Sequence, residues 1–413
     1  MALHSPSCSR DAAAAAAPAR AGLAGAASRA APAADDGRPY IYIACPWTPV
    51  GGGMFKVADY LIQAQSREEG AHDRPGARLR PLDTRGPHSP LRSLGVLTCA
   101  LARLAQGRWS GRLAGVHVNM AERLSLLRKS VVVVACRALG VPVVLHLHAA
   151  QLHRAWPRLP APARALLRWV FSLPRCCIVL GSESARFVTG ELKVPWQRVE
   201  VVINGVPEPA QVARPGTVGA PVRLLFVGNL SDRKGVPELL QAMARPALAH
   251  QPVELTLAGG GDAAGYRLAA DRLGLGRRVR FEGWAEQARV AQLMAQSDLL
   301  VLPSHDEGLP LVILEALAGG LPVVCTPVGE IGQTLHDGVH ARFVAPGDPA
   351  GLARALADLL ADPQARAMLA RNGKSLYRQH FTLATFFDRI AAIHARHFGI
   401  AGHRRPEPRE IAP

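Results

Sequence analysis

The 413-residue chain lacks any uninterrupted apolar run of the roughly 18 residues that a membrane-spanning helix needs; the candidate at 131–136 stops at Arg137. It lacks a Cys-x-x-Cys pair as well. Seven cysteines are present, one in the first 37 residues and two adjacent as Cys176 and Cys177. Neither a zinc ribbon nor a disulfide scaffold is implied, and the thiols fit small apolar side chains in a reducing cytoplasm. Aromatic residues make up only 5% and no nucleic-acid motif accompanies them, which excludes a base-stacking platform and ranks nucleic acid last among partners. Acidic residues are scarce in one half: residues 38–205 hold 9 against 23 basic ones, whereas 206–413 hold 20 against 22. The formal charge of +16 therefore sits almost wholly in the first half. Such a one-sided field favours an anionic partner, a membrane surface or a lipid-linked diphosphate. An arginine-rich composition without functional meaning is the competing explanation.

What is present describes a folded α/β protein. Hydrophobic residues at 49% and charged ones at 19% are ordinary for two domains that each bury a core. Residues 1–37, rich in Ala, Pro, Ser and Arg, carry no apolar stripe and no Leu/Val core of an export signal; they read as a disordered leader. A first domain is expected over 38–206, a Pro/Gly-rich linker over 207–221 and a second domain over 222–380. Strands are expected at 40–45, 78–82, 115–119, 176–180, 222–227, 253–258, 279–282, 299–302 and 322–325, alternating with helices. That alternation predicts parallel, doubly wound sheets. A helix capped by Ser182 follows the 176–180 strand, and the tail from 400 to 413 reads as disordered.

Four junctions carry chemistry. Ser304 to Ala316 runs from a strand through a loop into an apolar helix, with Glu307 and Glu315 eight positions apart. Free backbone N–H groups at a helix start favour anions, and carboxylates can accept hydrogen bonds from vicinal sugar hydroxyls. Gly228-Asn229-Leu230-Ser231-Asp232-Arg233-Lys234-Gly235 closes the 222–227 strand and offers two cations beside glycines. A departing diphosphate gains charge that fixed cations can meet. In the first half, the 141–148 segment alternates so that His146 and His148 share one strand face, with His148 at the carboxyl end. Gly51, Gly52 and Gly53 follow the 40–45 strand, without the spacing of a dinucleotide fingerprint; Gly52 and Gly53 let backbone approach a ligand closely.

The Glu-Gly-Leu-Pro-Leu-Val-Ile-Leu-Glu-Ala segment ending at Ala316 resembles the donor-site signature of family 4 retaining glycosyltransferases. The 228–235 octet resembles the same family's Gly-x-Leu-x-x-x-Lys-Gly element. The resemblance implies the GT-B fold, two Rossmann-like doubly wound domains facing across a cleft, with a helix at 381–399 crossing back to the first domain. It implies transfer of a hexose from a nucleotide-sugar to a saccharide or lipid-linked acceptor, with no cofactor and no metal. No Asp-x-Asp pair stands in the chain. By the same resemblance Glu307 would hold the sugar hydroxyls, Glu315 the ribose, and Arg233 and Lys234 the diphosphate. Gly308, Leu309, Pro310 and Leu311, with Gly228, Gly52 and Gly53, would lie along the donor, and His148 would meet it from the opposite domain. Glu330 stands where the family has a frequent glycine. A peripheral position on the inner membrane face and a role in cell-surface polysaccharide synthesis complete the expectation. A nucleotide-sugar epimerase or hydrolase, a non-catalytic binding subunit and a sugar phosphorylase remain open on these residues.

Overall fold

The computed structural model describes residues 37–47, 52–69, 77–86, 90–122, 124–148, 152–210 and 220–400. The leader to residue 36, Gly51, most of the linker and nearly all of the tail lie outside them. Short apolar runs bounded by Gly, Pro and Asp become inner strands buried on both faces, as parallel sheets require, and the edge strands are less buried. The first sheet comprises β1 (Tyr40–Cys45), β2 (Arg78–Asp83), β3 (Leu113–Met120), β4 (Val143–Leu147), β5 (Cys176–Val179) and β6 (Val199–Val201). The second comprises β7 (Val222–Val227), β8 (Val253–Ala258), β9 (Val279–Gly283), β10 (Leu299–Leu302), β11 (Val323–Cys325) and β12 (Arg342–Phe343). Strand order is β2-β1-β3-β4-β5-β6 in one and β12-β11-β10-β7-β8-β9 in the other. Every pairing is parallel. The β12 strand, two residues long, leaves no pattern a sequence could show.

Order fixes where ligands can sit. In the second sheet the direction of winding reverses between β7 and β10, and in the first between β1 and β3. Crevices open at the carboxyl ends of strands at such reversals. The 228–235 segment leaves β7 and the 304–310 segment leaves β10, so both loops meet at one crevice. The helix that follows, Leu311–Ala318, buries six of its eight residues, Leu311, Ile313, Leu314, Ala316, Leu317 and Ala318. Glu315 is the polar residue on this otherwise apolar helix.

The last helix, Leu383–Phe398, starts with Thr382 accepting from the Thr385 amide and buries Phe386, Phe387, Ile390, Ile393, His394 and Phe398. It packs on the Gly52–Glu69 helix and on β3 and β4. At Gly115 a Cβ would overlap the Phe398 ring, so the absence of a side chain permits this approach. Each buried Phe or Ile contributes about 1.5–3 kcal/mol through the area removed from water. Beneath the helix runs a polar stripe. His117 Nδ1 lies 2.8 Å from His394 Nε2, and His117 Nε2 lies 3.3 Å from His146 Nδ1. His117 and Asn119 share one face of β3 by alternation, and Asn119 is in register with His146.

Burial pushes the His117 imidazole down to about 3; burial and the neighbouring imidazoles push His146 well below its usual value. Both are neutral in the folded chain, whereas the unfolded chain takes up protons near pH 6.5. Their contribution is complete above that pH and declines below it. Between pH 7 and pH 5 we expect a loss of up to about 2 kcal/mol for each of the two imidazoles. Urea unfolding across this range measures it; a flat stability profile contradicts it.

Candidate active site

The second lobe supplies the charged half of the site. Gly235 adopts φ 71° at the turn into the Val236–Ala244 helix, and a Cβ there would overlap the Pro303 carbonyl. Glycine is required on both counts. The turn presses the β7 loop against the β10 loop, with the His305 amide donating to the Arg233 carbonyl at 2.8 Å. Lys234 Nζ consequently forms an ion pair with Glu307 Oε1. Arg233 Nη1 lies 3.9 Å from Glu307 Oε2 and donates to the Asp306 carbonyl at 2.6 Å. Ser304 Oγ donates to Glu307 Oε1 at 2.9 Å. The Glu307 side chain is 8% exposed and that of Lys234 12%, so the pair is largely out of water. Gly228 stands beside Lys234, since a Cβ on it would come 3.7 Å from Lys234 Cε.

The first lobe faces these groups with β4. His148 follows that strand, its amide donating to the Met120 carbonyl at 2.7 Å and its Nε2 lying 2.8 Å from Asn119 Oδ1. Burial, and then His117, lower its imidazole to about 3; it is a neutral hydrogen-bonding group at physiological pH. Assigning Nε2–H as donor to Asn119 Oδ1 leaves Nδ1 as an acceptor. Gly53 sits against the start of the Leu311–Ala318 helix, where its Cβ would lie 3.8 Å from Leu311 Cδ1. Gly52 takes φ 69° at the start of its own helix.

Three sets of contacts join the lobes around a cleft of about 310 Å³ lined by Leu147, His153, Arg186, Glu307 and Glu330 among others. Lys56 Nζ and the Tyr60 hydroxyl both donate to Glu315 Oε1 at 3.1 Å, and Gln287 Nε2 donates to the Tyr60 oxygen at 2.6 Å. Burial and the Glu315 charge push the Tyr60 hydroxyl upward, so it keeps its proton. Arg154 reaches Asp306 Oδ2 at 3.6 Å and the His305 carbonyl at 3.3 Å. Glu330, 1% exposed, accepts from the Ser184 amide and hydroxyl, both at 2.8 Å, and from the Glu183 amide at 3.3 Å.

The expected residues therefore fall into two groups. Arg233, Lys234, Glu307 and Gly228 converge at the β7 and β10 ends. Gly308, Leu309 and Leu311 stand on the adjoining turn, where Pro310 is the N-cap residue and makes no side-chain cap bond. Glu315 is instead engaged by Lys56 and Tyr60 of the opposite lobe. Ser182 does not cap its helix: Gly181 is the N-cap and makes no side-chain bond, and Glu330 satisfies the first-turn amides from the other lobe. Lys56, Tyr60, Gln287, Arg154 and Asn119 were not singled out. Lys56 and Tyr60 lie four apart on one helix face three residues past Gly53, a spacing that could have marked them. Nothing local marks Arg154 or Gln287.

The model of the family described as Glycosyltransferase Family 4 matches residues 60–208, and that described as Glycosyl transferases group 1 matches 209–376. Glycogen synthase of Mycobacterium tuberculosis is 30% identical over 277 residues, 65% of this chain and 66% of the relative. The chain thus spans about two thirds of that relative's length. The D-inositol 3-phosphate glycosyltransferase of Streptomyces scabiei is 29% identical over 80% of each chain. Among solved structures, sucrose-phosphate synthase of Thermosynechococcus elongatus superposes with a TM-score of 0.71 at 20% identity, covering 88% of this chain and all of that one. Anabaena Alr3699/HepE, in complex with UDP and glucose, gives 0.65 at 21% identity over 86% and 99%.

Replacing Lys234 by Met leaves Glu307 in its nearly dry position with Ser304 and, as its only cation, the more distant Arg233. We expect Lys234→Met to lose about 2–4 kcal/mol of unfolding free energy, since stranding one partner of a buried pair is costly. The double variant Lys234→Met, Glu307→Gln is expected to recover part of that loss. Chemical denaturation reads both, and equal stability of Lys234→Met and wild type contradicts the pairing.

Proposed function

This chain belongs to the family 4 GT-B glycosyltransferases, and from that premise we propose that it moves a hexose from a nucleotide-sugar to a hydroxyl acceptor with retention of anomeric configuration. The observation that carries the proposal is the Lys234–Glu307 pair with Arg233 beside it, set where the second sheet reverses. The Anabaena protein of the same fold binds UDP and glucose, which supports a uridine nucleotide as the first donor to try.

In this reading Arg233 and Lys234 hold the diphosphate, and the amides of Gly308, Leu309 and Leu311 add dipoles. Glu307 accepts from the sugar hydroxyls, an orientation that Ser304 helps to fix. Glu315 takes the ribose hydroxyls once Lys56 and Tyr60 release it, so nucleotide entry requires the lobes to part and close again. As the anomeric C–O bond breaks, its electron pair goes to the diphosphate, where the two cations stabilise the growing charge. The acceptor oxygen bonds to the anomeric carbon from the same face and gives its proton to a diphosphate oxygen. Neutral His148, oriented by Asn119, hydrogen-bonds the transferring sugar. The basic first half supports a saccharide or lipid-linked acceptor at an anionic inner membrane surface, and cell-surface polysaccharide assembly is the process that fits. Six unpaired cysteines among the described residues are compatible with the cytoplasm.

Nucleoside diphosphate release tests the proposal. Purified protein given UDP-sugars and a saccharide or lipid extract is expected to release UDP only when donor and acceptor are both present. Release without acceptor would instead favour a hydrolase, conversion of the donor into another UDP-sugar without release an epimerase, and binding that leaves the donor unchanged a binding subunit. His148→Ala is expected to keep UDP affinity while turnover drops by roughly 100-fold, the usual worth of one positioned hydrogen bond to a reacting group. Unchanged turnover removes His148 from the site.

A further inference from the structure

Resting on the transferase reading above, we propose that Glu330 selects the acceptor. Its carboxylate fills an anion-binding point on the first lobe's wall of the cleft, so an accepted sugar is uncharged there and one bearing phosphate or carboxylate at that point is refused.

The Ser182–Gly190 helix has nine residues, and its first-turn amides are unsatisfied by the helix itself. With the helix dipole they make a site that attracts an anion. The Glu183 amide, the Ser184 amide and the Ser184 hydroxyl converge on a single carboxylate, the arrangement a phosphate oxygen would use. That carboxylate comes from the loop after β11 in the other lobe. Two glycines allow it to arrive. A Cβ on Gly181 would overlap the Glu330 carboxylate, and one on Gly329 the Glu307 carbonyl; Gly329 also adopts φ 57°. The Glu330 amide donates to the Gly308 carbonyl at 3.1 Å, which ties the carboxylate to the loop carrying Glu307.

The plugged point therefore adjoins the sugar-binding carboxylate, where an acceptor must bring its hydroxyl. Glu183, Glu307, Glu330, Arg186 and His153 line this cleft. Lys234 offsets Glu307 and Arg186 offsets Glu183, so Glu330 decides the balance: with it the wall repels an anion, and without it the freed amides attract one. A buried anion without matched donors is strongly disfavoured, and here the donors are already taken.

Inorganic phosphate is the probe, titrated at constant ionic strength into 15N-labelled full-length protein. In Glu330→Ala we expect the Glu183 and Ser184 amide resonances to shift and saturate with an affinity about tenfold or more above that of wild type, the scale of a charge at a helix start. Phosphate bound at Arg233 and Lys234 perturbs other amides and is read separately. The second arm compares a phosphorylated with an unphosphorylated form of whichever sugar the wild type accepts. The ratio of their kcat/KM values is expected to rise by about tenfold in Glu330→Ala, a gain that loosening of the lobes would not produce. Should that variant fail to fold, Glu330→Gln keeps an acceptor atom without the charge and is expected to change both readouts in the same direction. The proposal is overturned if the two amides respond alike in wild type and variants, or if the kcat/KM ratio is unchanged. The amide arm needs no turnover, so a failure of the transferase reading appears as absent UDP release while the amide response is still measured.

Discussion

A glutamate held nearly dry beside a lysine constrains everything else in this protein. Burying Glu307 is tolerable only because Lys234, Ser304 and, at longer range, Arg233 surround it. Those partners come from two loops some seventy residues apart, and they can meet only where β7 and β10 lie side by side. Gly235 is compelled to be glycine by that meeting, because its backbone passes against the Pro303 carbonyl. The sheet order, the positive φ and the charge pair are thus one requirement seen at three scales. The same cations and carboxylate are what a diphosphate-sugar asks for, since a leaving diphosphate needs fixed positive charge and a sugar needs an oriented acceptor.

The lobes touch through charged side chains that line or flank the proposed donor site. Glu315 is held by Lys56 and Tyr60, Asp306 by Arg154, and Glu330 by the start of the Ser182–Gly190 helix. Each contact leaves the polar groups it joins satisfied, which a cleft lined by unpaired charges could not do. In the proposed reading, donor entry exchanges the first of them. The helix Leu383–Phe398, packed on the first sheet's histidine stripe, ties the segment that follows the second sheet to the first lobe.

Much of this was legible in the residues because the relevant signals are local. Apolar runs of four to six residues ending in glycine or proline mark the buried strands, and Arg233, Lys234, Glu307 and Glu315 stand at fixed offsets from strand ends. What was not legible depends on the lobes coming together. Ser182 has the residue type of a helix cap, yet a carboxylate some 150 positions away takes that place, and Glu330 showed only as an unexpected residue in a glycine position. Lys56 and Arg154 look like ordinary surface cations until the fold sets them against Glu315 and Asp306. The histidine stripe was half visible: alternation paired His146 with His148, but His117 and His394 join it through strand register and helix docking, which no single segment encodes.

Lys234, Arg233 and Glu315 are proposed to receive one nucleoside diphosphate across the β7–β10 crevice. A crystal structure with UDP tests it directly. The account predicts diphosphate oxygens at about 3 Å from Lys234 Nζ and from the Arg233 guanidinium, ribose hydroxyls on Glu315, and Lys56 displaced from that carboxylate. UDP bound elsewhere, or bound with the Lys56–Glu315 pair intact, would contradict it.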